Sequence, residues 1–438
     1  MAFQQALSGL NTAAKAIDST SHNIANSSTV GYKASVAHFA DVYAASLTGA
    51  GASQVGIGVN LSAIQQQFTQ GNITSTNNPL DISINGAGFF RMDQNGATTF
   101  SRNGQFHLDK NGFIINDQGL KLTGYAAQSG IITPTTPQPL QISASDLAPV
   151  ATGLNSSSTF NGIKANLNFD SRVTEPVSAW VDGNGPGDTT AFTPDPQTYN
   201  YSTALAIYDT LGNPHTMTFY FAKTANAGEW AVYANLDGTT NQNIVAGGGP
   251  IGTLTFGQTG QIVGGNPMNV TVDILATMQS QGQPAGNGAQ DTQTFPIDFT
   301  GTTQFGSPFG TNRLEQDGYA AGNLIGLSVG DDGIIQGRYS NGQTFAQGQI
   351  VLANFTNPNG LQALGNNQWA ETSDSGPPLV GAPNTSSLGV LSSSTVEESN
   401  VDLTGELVNL ITQQRNYQAN AQSIKTQDQV LQTLVNLR

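Results

Sequence analysis

The chain contains no cysteine, and this absence excludes disulfide bonds, thiolate metal sites and cysteine nucleophiles together. Charged residues are also scarce, at 10% of 438 residues against about 25% in a typical soluble protein. Asn, Gln, Ser and Thr take their place, so a chain kept disordered by its charge is not expected. No apolar run reaches the roughly 18 residues that a membrane-spanning helix requires, so no membrane partner is predicted.

Basic side chains are in particularly short supply, with 14 Lys and Arg against 29 Asp and Glu and a formal net charge of −15. Binding nucleic acid requires a basic face that neutralises phosphates, so nucleic acid is not an expected partner. The opening residues MAFQQAL lack a charged start and a continuous apolar stretch, which argues against a cleavable secretory signal. We therefore expect a protein that is either cytosolic or exported by a route that leaves its ends uncut.

Groups suited to catalysis or metal binding are few. The histidines at positions 22, 38, 107 and 215 show no ligand spacing, and we expect each to be a hydrogen-bonded structural residue. The segments DQNG (93–96) and DKNG (109–112) resemble the start of a calcium loop but lack its closing acidic residue. Turns in which Asp bonds its own backbone explain both segments better. No catalytic residue, metal or cofactor is predicted.

The two ends of the chain carry a heptad rhythm in which apolar positions recur at alternating spacings of four and three. No Gly or Pro follows Glu406, so a helix of about 36 residues is predicted at the C-terminus. The helices could pair inside one chain or form the core of an assembly of chains, and periodicity leaves both open. The seam positions are Phe3, Leu7, Leu10, Ala14, Ile17, Ser21 and Ile24 at one end, and Leu403, Leu407, Leu410, Gln414, Tyr417, Ala421, Ile424, Asp428, Leu431 and Val435 at the other.

Only a few seam positions are polar. Gln414 and Asp428 interrupt the C-terminal seam, and we interpret them as residues that fix the register of helix pairing or line a channel wall. The remaining seam residues are predicted to drive self-assembly.

Between the helices the pattern changes to short alternating segments and tight turns. Asn-Gly and Asp-Gly pairs, which tolerate the positive φ angles of hairpins, recur throughout. Residues 205–209 and 217–221 are rich in aromatic and β-branched side chains, which is typical of strands. The predicted fold class is mainly β with α-helical termini.

Pro- and Gly-rich stretches near 133–139, 282–288, 301–310 and 376–394 suggest domain boundaries. They predict nested, discontinuous domains. These are a terminal helical domain (1–28 and 399–438), a connecting segment (29–71 and 389–398), an inner β domain (72–145 and 313–388) and an inserted outer β domain (146–312).

Several motifs resemble those of bacterial flagellar axial proteins, the rod and hook family. They are SHNIANSSTVGYK (21–33), FTQG (68–71), NPLDISINGAGFF (78–90), SRNGQF (101–106), LTGY (122–125), ESNVDL (398–403) and QRNYQANAQSIK (414–425). The residues that carry the resemblance are Asn23, Asn26, Gly31, Tyr32, Lys33, Leu80, Asp81, Gly88, Phe89, Phe90, Arg102, Gly104, Arg415, Asn416 and Tyr417.

The large insertion favours the hook branch of this family. AIYDTLGNPH (206–215) and FYF (219–221) are similar to that branch's outer domain, whereas rod members join the two halves with little between them. The resemblance implies a non-enzymatic structural subunit that polymerises with itself into a flexible tubular joint outside the cell. It also implies export through the flagellar type III apparatus without cleavage, and contacts with distal rod, hook cap and hook–filament junction proteins.

We further expect a division of labour by radius. The terminal helices would pack as an inner tube and stay disordered until neighbouring subunits cover their apolar seams. The β domains would meet outside through polar, wet contacts that slide as the joint rotates. Two rivals stay open: a distal rod protein, and a secreted β-rich enzyme or adhesin acting on polysaccharide. The second rival would need a signal peptide and a clustered pair of carboxylates.

Overall fold

The computed structural model divides the chain into two compact units. The end unit comprises Met1–Ser143, Gly326–Arg338 and Thr344–Arg438, and the central unit comprises Ala144–Ile325 and Tyr339–Gln343. The end unit is therefore assembled from both ends of the chain. The residues that the structure describes are 2–42, 56–94, 96–128, 130–143, 146–155, 158–181, 193–240, 243–244, 248–283 and 286–436.

The first part of the chain forms a long helix followed by short strands. Helix α1 ends where the Asn26 backbone N–H and side chain both bond the His22 carbonyl oxygen. The elements are α1 (Ala2–Ala25), β1 (Ser35–Val42), β2 (Gly58–Gln66), β3 (Ile73–Ser75), β4 (Ile82–Asn85), β5 (Phe89–Gln94), β6 (Ala97–Ser101), β7 (His107–Leu108), β8 (Ile114–Ile115), β9 (Lys121–Gln128), β10 (Ile131–Ile132) and β11 (Gln138–Pro139).

The middle of the chain is β-rich, as predicted, but it includes one short helix that the sequence pattern missed. Asp273 caps this helix, α2, by accepting a hydrogen bond from the Ala276 backbone N–H at 2.8 Å. The elements are β12 (Ile163–Asp170), β13 (Tyr201–Tyr208), β14 (Pro214–Lys223), β15 (Glu229–Leu236), β16 (Gly252–Phe256), β17 (Ile262–Gly264), β18 (Met268–Asp273), α2 (Ile274–Ser280), β19 (Thr292–Asp298), β20 (Thr303–Phe305) and β21 (Gly310–Gln316).

The last part returns to strands and closes on a long helix. Asp402 caps that helix, α3, because its carboxylate accepts the Thr404 backbone N–H at 3.0 Å. The elements are β22 (Leu324–Val329), β23 (Ile334–Tyr339), β24 (Thr344–Ile350), β25 (Leu352–Asn354), a 3-10 helix (Pro358–Gly360), β26 (Gln362–Gly365), β27 (Gln368–Ala370), β28 (Leu379–Gly381), β29 (Val390–Ser393), β30 (Thr395–Glu397) and α3 (Leu403–Asn436).

These elements confirm the predicted fold class, mainly β with helical termini. Both terminal helices are present, with 24 and 34 residues. The Asp turns are confirmed as well, since Asp93 accepts the Gly96 backbone N–H at 3.1 Å and Asp109 accepts the Asn111 and Phe113 N–H groups at 2.8 Å.

The end unit interleaves strands from the two ends of the chain. Its main sheet runs β22-β23-β24-β9-β5-β6-β27-β26, and β5 also pairs with β25. Two smaller pairs, β4 with β29 and β3 with β30, join the same two parts of the chain. Edge-to-face aromatic contacts fill a core of Phe89, Phe100, Ala353, Phe355 and Trp369.

The central unit has two five-stranded sheets. One runs β18-β19-β12-β20 with β21 added to β12, and the other runs β13-β14-β15-β16-β17. Both sheets contribute to one apolar core in which Phe169 lies 4.7 Å from Trp230 and 5.0 Å from Phe221, measured between ring centroids. All the fully buried members of this core lie between Ile163 and Phe299, so it is made from one continuous stretch of chain.

Candidate assembly surface and chain-end junction

The two terminal helices lie antiparallel within one chain. Near one end of the pair, the Asn23 amide donates to the Glu406 carboxylate at 3.2 Å. Further along, a Cβ on Gly9 would stand 2.9 Å from the Asn420 amide, so the backbones approach closely there. Low numbers on α1 therefore face high numbers on α3, and of the two alternatives that periodicity left open, pairing inside one chain does occur.

The buried face of α1 is made of small and polar side chains. It differs from the apolar seam that the heptad rhythm predicts, because Phe3 and Leu7 are 45% and 43% exposed. Leu10, Ile17 and Ile24 are only partly buried. Small side chains allow the close approach to α3 and to the β1–β2 hairpin. The buried residues of this face are Ala6, Ala13, Ala16, Ser19, Thr20 and Asn23.

Helix α3 buries even less of itself. None of its side chains from Leu403 to Thr433 is fully buried, and Leu410 and Ile424 are half-buried. The predicted seam residues Gln414 and Asp428 are exposed, and the side chain of Val435 lies outside the described part of the chain. The exposed large apolar or aromatic residues of this helix are Leu403, Leu407, Val408, Ile411, Tyr417, Val430 and Leu431.

An apolar groove opens where the start of α1 meets the end of α3. Phe3 lines it from one helix, and Val430 and Leu431, at 59% and 57% exposure, line it from the other. Ser423, Thr426 and Gln427 complete its walls. The uncovered apolar strip is the name used below for Phe3, Leu7 and the exposed large apolar residues of α3, which the fold of a single chain does not cover. Exposed large apolar side chains of this kind are a feature of surfaces that bind another protein.

A second constellation lies where the two halves of the end unit meet, in a buried triad of Lys33, Arg102 and Glu397. The Lys33 Nζ lies 2.7 Å from Glu397 Oε1, and Arg102 Nη1 lies 3.2 Å from Oε2. The side chains of Lys33 and Glu397 are fully buried, and Arg102 is 3% exposed. Two cations therefore face one carboxylate at a site that is shielded from bulk solvent.

Backbone groups complete the triad. The Gly71 N–H donates to Glu397 Oε1 at 2.9 Å, Lys33 Nζ donates to the Thr69 carbonyl oxygen at 2.8 Å, and Arg102 Nη2 donates to the Gly86 carbonyl oxygen at 2.8 Å. Burial lowers the pKa of Lys33, and the negative charge of Glu397 opposes that shift. Burial likewise lowers the pKa of Arg102 against the same carboxylate. The charges of the two cations are thus stabilised mainly by Glu397.

Two glycines of the family motif fit this junction closely. Gly31 has φ +71°, and a Cβ there would stand 2.7 Å from the Asn103 backbone nitrogen. A Cβ on Gly104 would overlap the carbonyl oxygen of Ile82. Both positions require the absence of a side chain, so the motif is explained by backbone packing at the junction.

Amide side chains fasten the helices to the same junction. Asn23 is buried, donates to the Ser35 carbonyl oxygen at 2.9 Å and accepts the Tyr32 hydroxyl at 3.1 Å. Asn400 accepts the Ala34 N–H and donates to the Gln67 carbonyl oxygen, both at 2.7 Å. The junction therefore ties the end of α1, the strands that follow it, and the start of α3.

The other motif residues fall into two groups. Leu80, Phe89 and Phe90 are buried in the end unit, Asp81 accepts the Asn78 amide at 3.0 Å, and Gly88 adopts φ +124°. Asn26 ends helix α1 as described above. By contrast, Arg415, Asn416 and Tyr417 lie on the exposed side of α3, away from the junction.

Glu397 is the functional residue that sequence reasoning missed. It directly precedes the ESNVDL motif, and nothing in its immediate sequence marks it as buried. A usable signal was the presence of two cations, Lys33 and Arg102, inside motifs of a chain with few charges. Buried cations need an acidic partner, so the partner could have been sought in the matching C-terminal motif.

The described part of the chain offers no second site with an obvious chemistry. No cluster of three or more His, Asp or Glu residues there is placed to hold a metal ion. No described helix is long and apolar enough to cross a membrane. His22 contacts the Tyr32 hydroxyl and His215 contacts Asp237, each at 2.7 Å, which confirms these two as hydrogen-bonded residues. His107 lies 3.7 Å from Asp117, and His38 is exposed on β1.

The chain combines a β-rich body, paired terminal helices with uncovered apolar residues and a buried junction between the chain ends, as the resemblance to flagellar axial proteins implies. Four family descriptions match in turn. "Flagella basal body rod protein" covers 3–33, and "Flagellar hook protein FlgE/F/G D1 domain" covers 83–146. "Flagellar basal body protein FlaE D2 domain" covers 168–319, and "Flagellar basal body rod FlgEFG protein C-terminal" covers 392–437.

Relatives that align over the full length of the chain identify the family more specifically than the four partial matches do. The chain is 41% identical to the flagellar hook protein FlgE of Salmonella typhimurium over 442 residues, with all of both chains covered. It is 41% identical over 446 residues to that of Escherichia coli, again with complete coverage of both. Among solved structures, the Helicobacter pylori flagellar hook protein FlgE2 aligns at 13% identity and a TM-score of 0.49, covering 74% of this chain and 99% of that one. The chain belongs to the flagellar hook protein family.

Proposed function

We propose that this protein is the structural subunit of the flagellar hook and polymerises with copies of itself into a flexible tube that transmits torque from rod to filament. The observation that carries the proposal is the uncovered apolar strip of the terminal helices. Phe3, Leu407, Val408 and Leu431 are each exposed by 45% or more in the single chain. Exposing this many large apolar side chains to water is unfavourable unless another surface covers them.

The helix pair supplies the geometry for such covering. Because the buried face of α1 consists of small and polar side chains, the larger apolar residues of the two helices stay exposed or half-buried. Each such residue that a neighbouring subunit buries contributes roughly 1.5–3 kcal/mol. A second copy of the same chain is a suitable partner for this strip, because the terminal segments are nearly neutral and those of two copies do not repel one another. The acidic excess of the chain lies between the two terminal segments.

The sequence-predicted assembly residues keep this role in the proposal. Those on the uncovered strip are the primary contacts, and half-buried Leu10, Ile17, Leu410 and Ile424 support them from within the pair. The nested division into helical, connecting, inner β and outer β domains stays a proposal with its boundaries, although its inner β domain includes residues 313–325, which belong to the central compact unit.

Partners and location follow from the same proposal. The subunit would lie outside the cell in the hook, contact the distal rod, hook cap and hook–filament junction proteins, and leave through the flagellar type III apparatus without cleavage. It would have no catalytic activity. The full-length relatives that carry the hook name favour this function over that of a distal rod protein.

Assembly by the uncovered strip is tested with a charge placed on it. Leu407→Asp should abolish concentration-dependent tubes in negative-stain micrographs, because each subunit would bury a carboxylate at the contact. Circular dichroism should show the β-rich body unchanged. Val177→Asp is the matched control, since Val177 is an 86%-exposed apolar residue of the central unit. Tubes from Leu407→Asp at the wild-type concentration would contradict the proposal.

We assign the flexibility of the tube to the contacts between the β domains of neighbouring subunits, which lie outside the helices. Polar and amide-rich surfaces bridged by water can shift with little penalty, whereas tightly packed helices tilt as bodies. In a cryo-electron reconstruction of a curved hook, outer contacts should therefore differ around the circumference while helix contacts persist. Identical outer contacts at every position would rule this division out.

A further inference from the structure

The central unit contains a second buried cluster of charged side chains, separate from the triad. Asp209 directly follows β13, His215 lies on β14 and Asp237 directly follows β15. The His215 ring lies between the two carboxylates: its Nδ1 is 2.7 Å from Asp237 Oδ2, and its Nε2 is 3.6 Å from Asp209 Oδ2. The side chains of Asp209 and His215 are 0% and 6% exposed, so one ring links three segments inside the unit.

Asp209 is held as an anion by its own turn and by a distant segment. Its Oδ1 accepts the backbone N–H groups of Leu211 and Asn213 at 2.9 and 2.8 Å. Its Oδ2 accepts the side-chain amides of Asn213 and Asn287 at 2.9 and 2.7 Å. Burial alone would raise the pKa of Asp209, but the hydrogen bonds outweigh burial and leave that pKa lowered. Asp209 therefore stays ionised at neutral pH.

The proton on His215 decides whether this arrangement is favourable. With the ring protonated, one cation lies between two anions. Because Nδ1 donates to Asp237, the proton that leaves at higher pH is the one on Nε2, and Nε2 has no hydrogen-bond partner among the described residues. A lone pair on Nε2 would then face Asp209 Oδ2 in a buried site, which is unfavourable because two acceptors meet without a donor.

Asp209 also fastens residues 286–291, here named the α2 loop, which lie between α2 and β19. The Asn287 amide donates to Asp209 Oδ2, the same oxygen that faces the His215 ring. The Gln290 backbone N–H donates to Thr210 Oγ1 at 2.9 Å. The α2 loop is therefore bound to the turn that carries Asp209.

The α2 loop covers apolar side chains of the helix. Together with Ile274, Leu275 and Met278 it encloses a cavity of about 50 Å³. Ile274 and Met278 are buried in the core of the central unit. Loosening the loop would therefore bring water to an apolar surface without first unfolding the sheets.

We propose that Asp209, His215 and Asp237 form a proton-dependent catch that holds the α2 loop closed. When His215 loses its proton, the repulsion between Nε2 and Asp209 displaces the Asp209 carboxylate. The donors from its own turn move with that carboxylate, whereas Asn287 belongs to a segment 78 residues away, so the Asn287 contact gives way. This inference concerns one unit of a single chain and does not rest on the proposed assembly.

The direction of the pH effect follows from the charges around the ring. The hydrogen bond to Asp237 raises the pKa of His215 above 6.5, burial opposes the shift, and the charges of Asp237 and Asp209 add to it. On the α2 side, the Asp273 carboxylate caps the helix and the carbonyl oxygen of Asp291 bonds the start of α2. The catch is therefore closed below pH 6.5 and opens as the pH rises through the raised value.

Amide hydrogen exchange of the full chain tests the catch. Protection is expressed relative to an unstructured peptide of the same sequence, so that the intrinsic effect of pH on exchange cancels. Between about pH 6 and about pH 9, the protection of the Ala289 and Gln290 amides should fall at least about threefold. The amides of β14 and β15 should keep their protection.

Four variants separate the catch from a general effect of pH. In His215→Gln, loop protection should no longer depend on pH. In Asp237→Asn, which suits the left-handed backbone there (φ 52°), the loop should open at a lower pH, because the acceptor that favours the protonated ring is weakened. Asn287→Ala should lower loop protection at both pH values. His107→Gln, at a ring that is 51% exposed, is the matched control and should behave as wild type.

Several results would overturn the catch. They are constant loop protection in wild type, a pH-dependent opening that persists in His215→Gln, an unchanged opening pH in Asp237→Asn, and equal loss of protection in β14 and β15 of the wild type. If His215→Gln lowers the protection of β14 and β15 as well, it disturbs the sheet itself, and the opening pH of Asp237→Asn decides.

Discussion

The two units of this protein reach stability in different ways. The central unit buries a contiguous set of aromatic and aliphatic side chains, including Trp230 and Phe169, from one continuous stretch of chain. The end unit combines a smaller aromatic core with a buried ion triad, close glycine contacts and helices that leave large apolar residues exposed. The central unit therefore depends on packing within one stretch of chain, whereas the end unit depends on contacts between the two ends of the chain.

The largest effect is expected from a cavity in the central unit. Trp230→Ala should destabilise that unit by about 3–5 kcal/mol, because a fully buried aromatic ring is removed from the core. Calorimetry should show the central-unit transition at lower temperature and the end-unit transition in place. Val177→Ala, at an 86%-exposed position, should change little. A shift of both transitions would break the comparison.

The next effect concerns assembly. Leu410→Ala should cost about 2–5 kcal/mol per subunit in the polymer if neighbouring subunits complete the burial of this half-buried residue. The critical concentration measured by sedimentation should rise at least tenfold, since every 1.4 kcal/mol is about a factor of ten. Both β-rich units should melt as in wild type, and Gln422→Ala on the same helix should assemble normally. A lower melting temperature of the monomer would indicate a role inside the chain instead.

The third effect is expected from a substitution that places a methyl group against the backbone of the end unit. Gly104→Ala should destabilise the end unit by about 1–3 kcal/mol, because the new methyl group meets the Ile82 carbonyl oxygen and the Phe90 ring. Gly310→Ala is the control, since nothing lies within 4 Å of a Cβ there. Urea unfolding followed at Trp369 should move only in the first variant. An unchanged urea midpoint in Gly104→Ala would mean that the backbone at the junction shifts to accommodate the methyl group at little cost in stability.

The smallest effect is a pH dependence confined to the central unit. The hydrogen bond that the His215 ring donates to the Asp237 carboxylate raises the pKa of His215 above its ordinary value of 6.5, although burial opposes the shift and Asp209 adds to it. Its contribution to stability is therefore fully present below pH 6.5 and is lost as the pH rises through the raised value. His215→Gln should flatten this dependence in thermal melts taken from acidic to alkaline pH. The end unit, melted in parallel, should show no difference between the two proteins.

Sequence patterns predicted the local features of the fold well. Heptad spacing over Phe3–Ile24 and Leu403–Val435 gave the terminal helices, because a helical period repeats every few residues. Asp93 and Asp109 gave turns, since an Asp side chain bonds its own backbone a few residues on. The short helix α2 was missed because seven residues carry too little periodicity to distinguish it from a buried strand.

The sites were less predictable. The apolar seam of α1 suggested a buried face, but the face that α1 buries consists of small and polar side chains such as Ala13, Ala16 and Asn23. Glu397 was not identified, because its pairing with Lys33 and Arg102 depends on strands that are hundreds of residues apart. The assembly roles of the seam residues stay predictions, as does the finer division into four domains.

The fold class, the helical ends, the turns and the family could all be predicted from sequence patterns, since each rests on residues close together in the chain or on short motifs. The folded chain was needed to show which helix faces meet, which apolar residues stay uncovered and where a carboxylate neutralises two buried cations. These depend on burial, and burial is a property of the surfaces that distant segments bring together. No local pattern in a single segment records it.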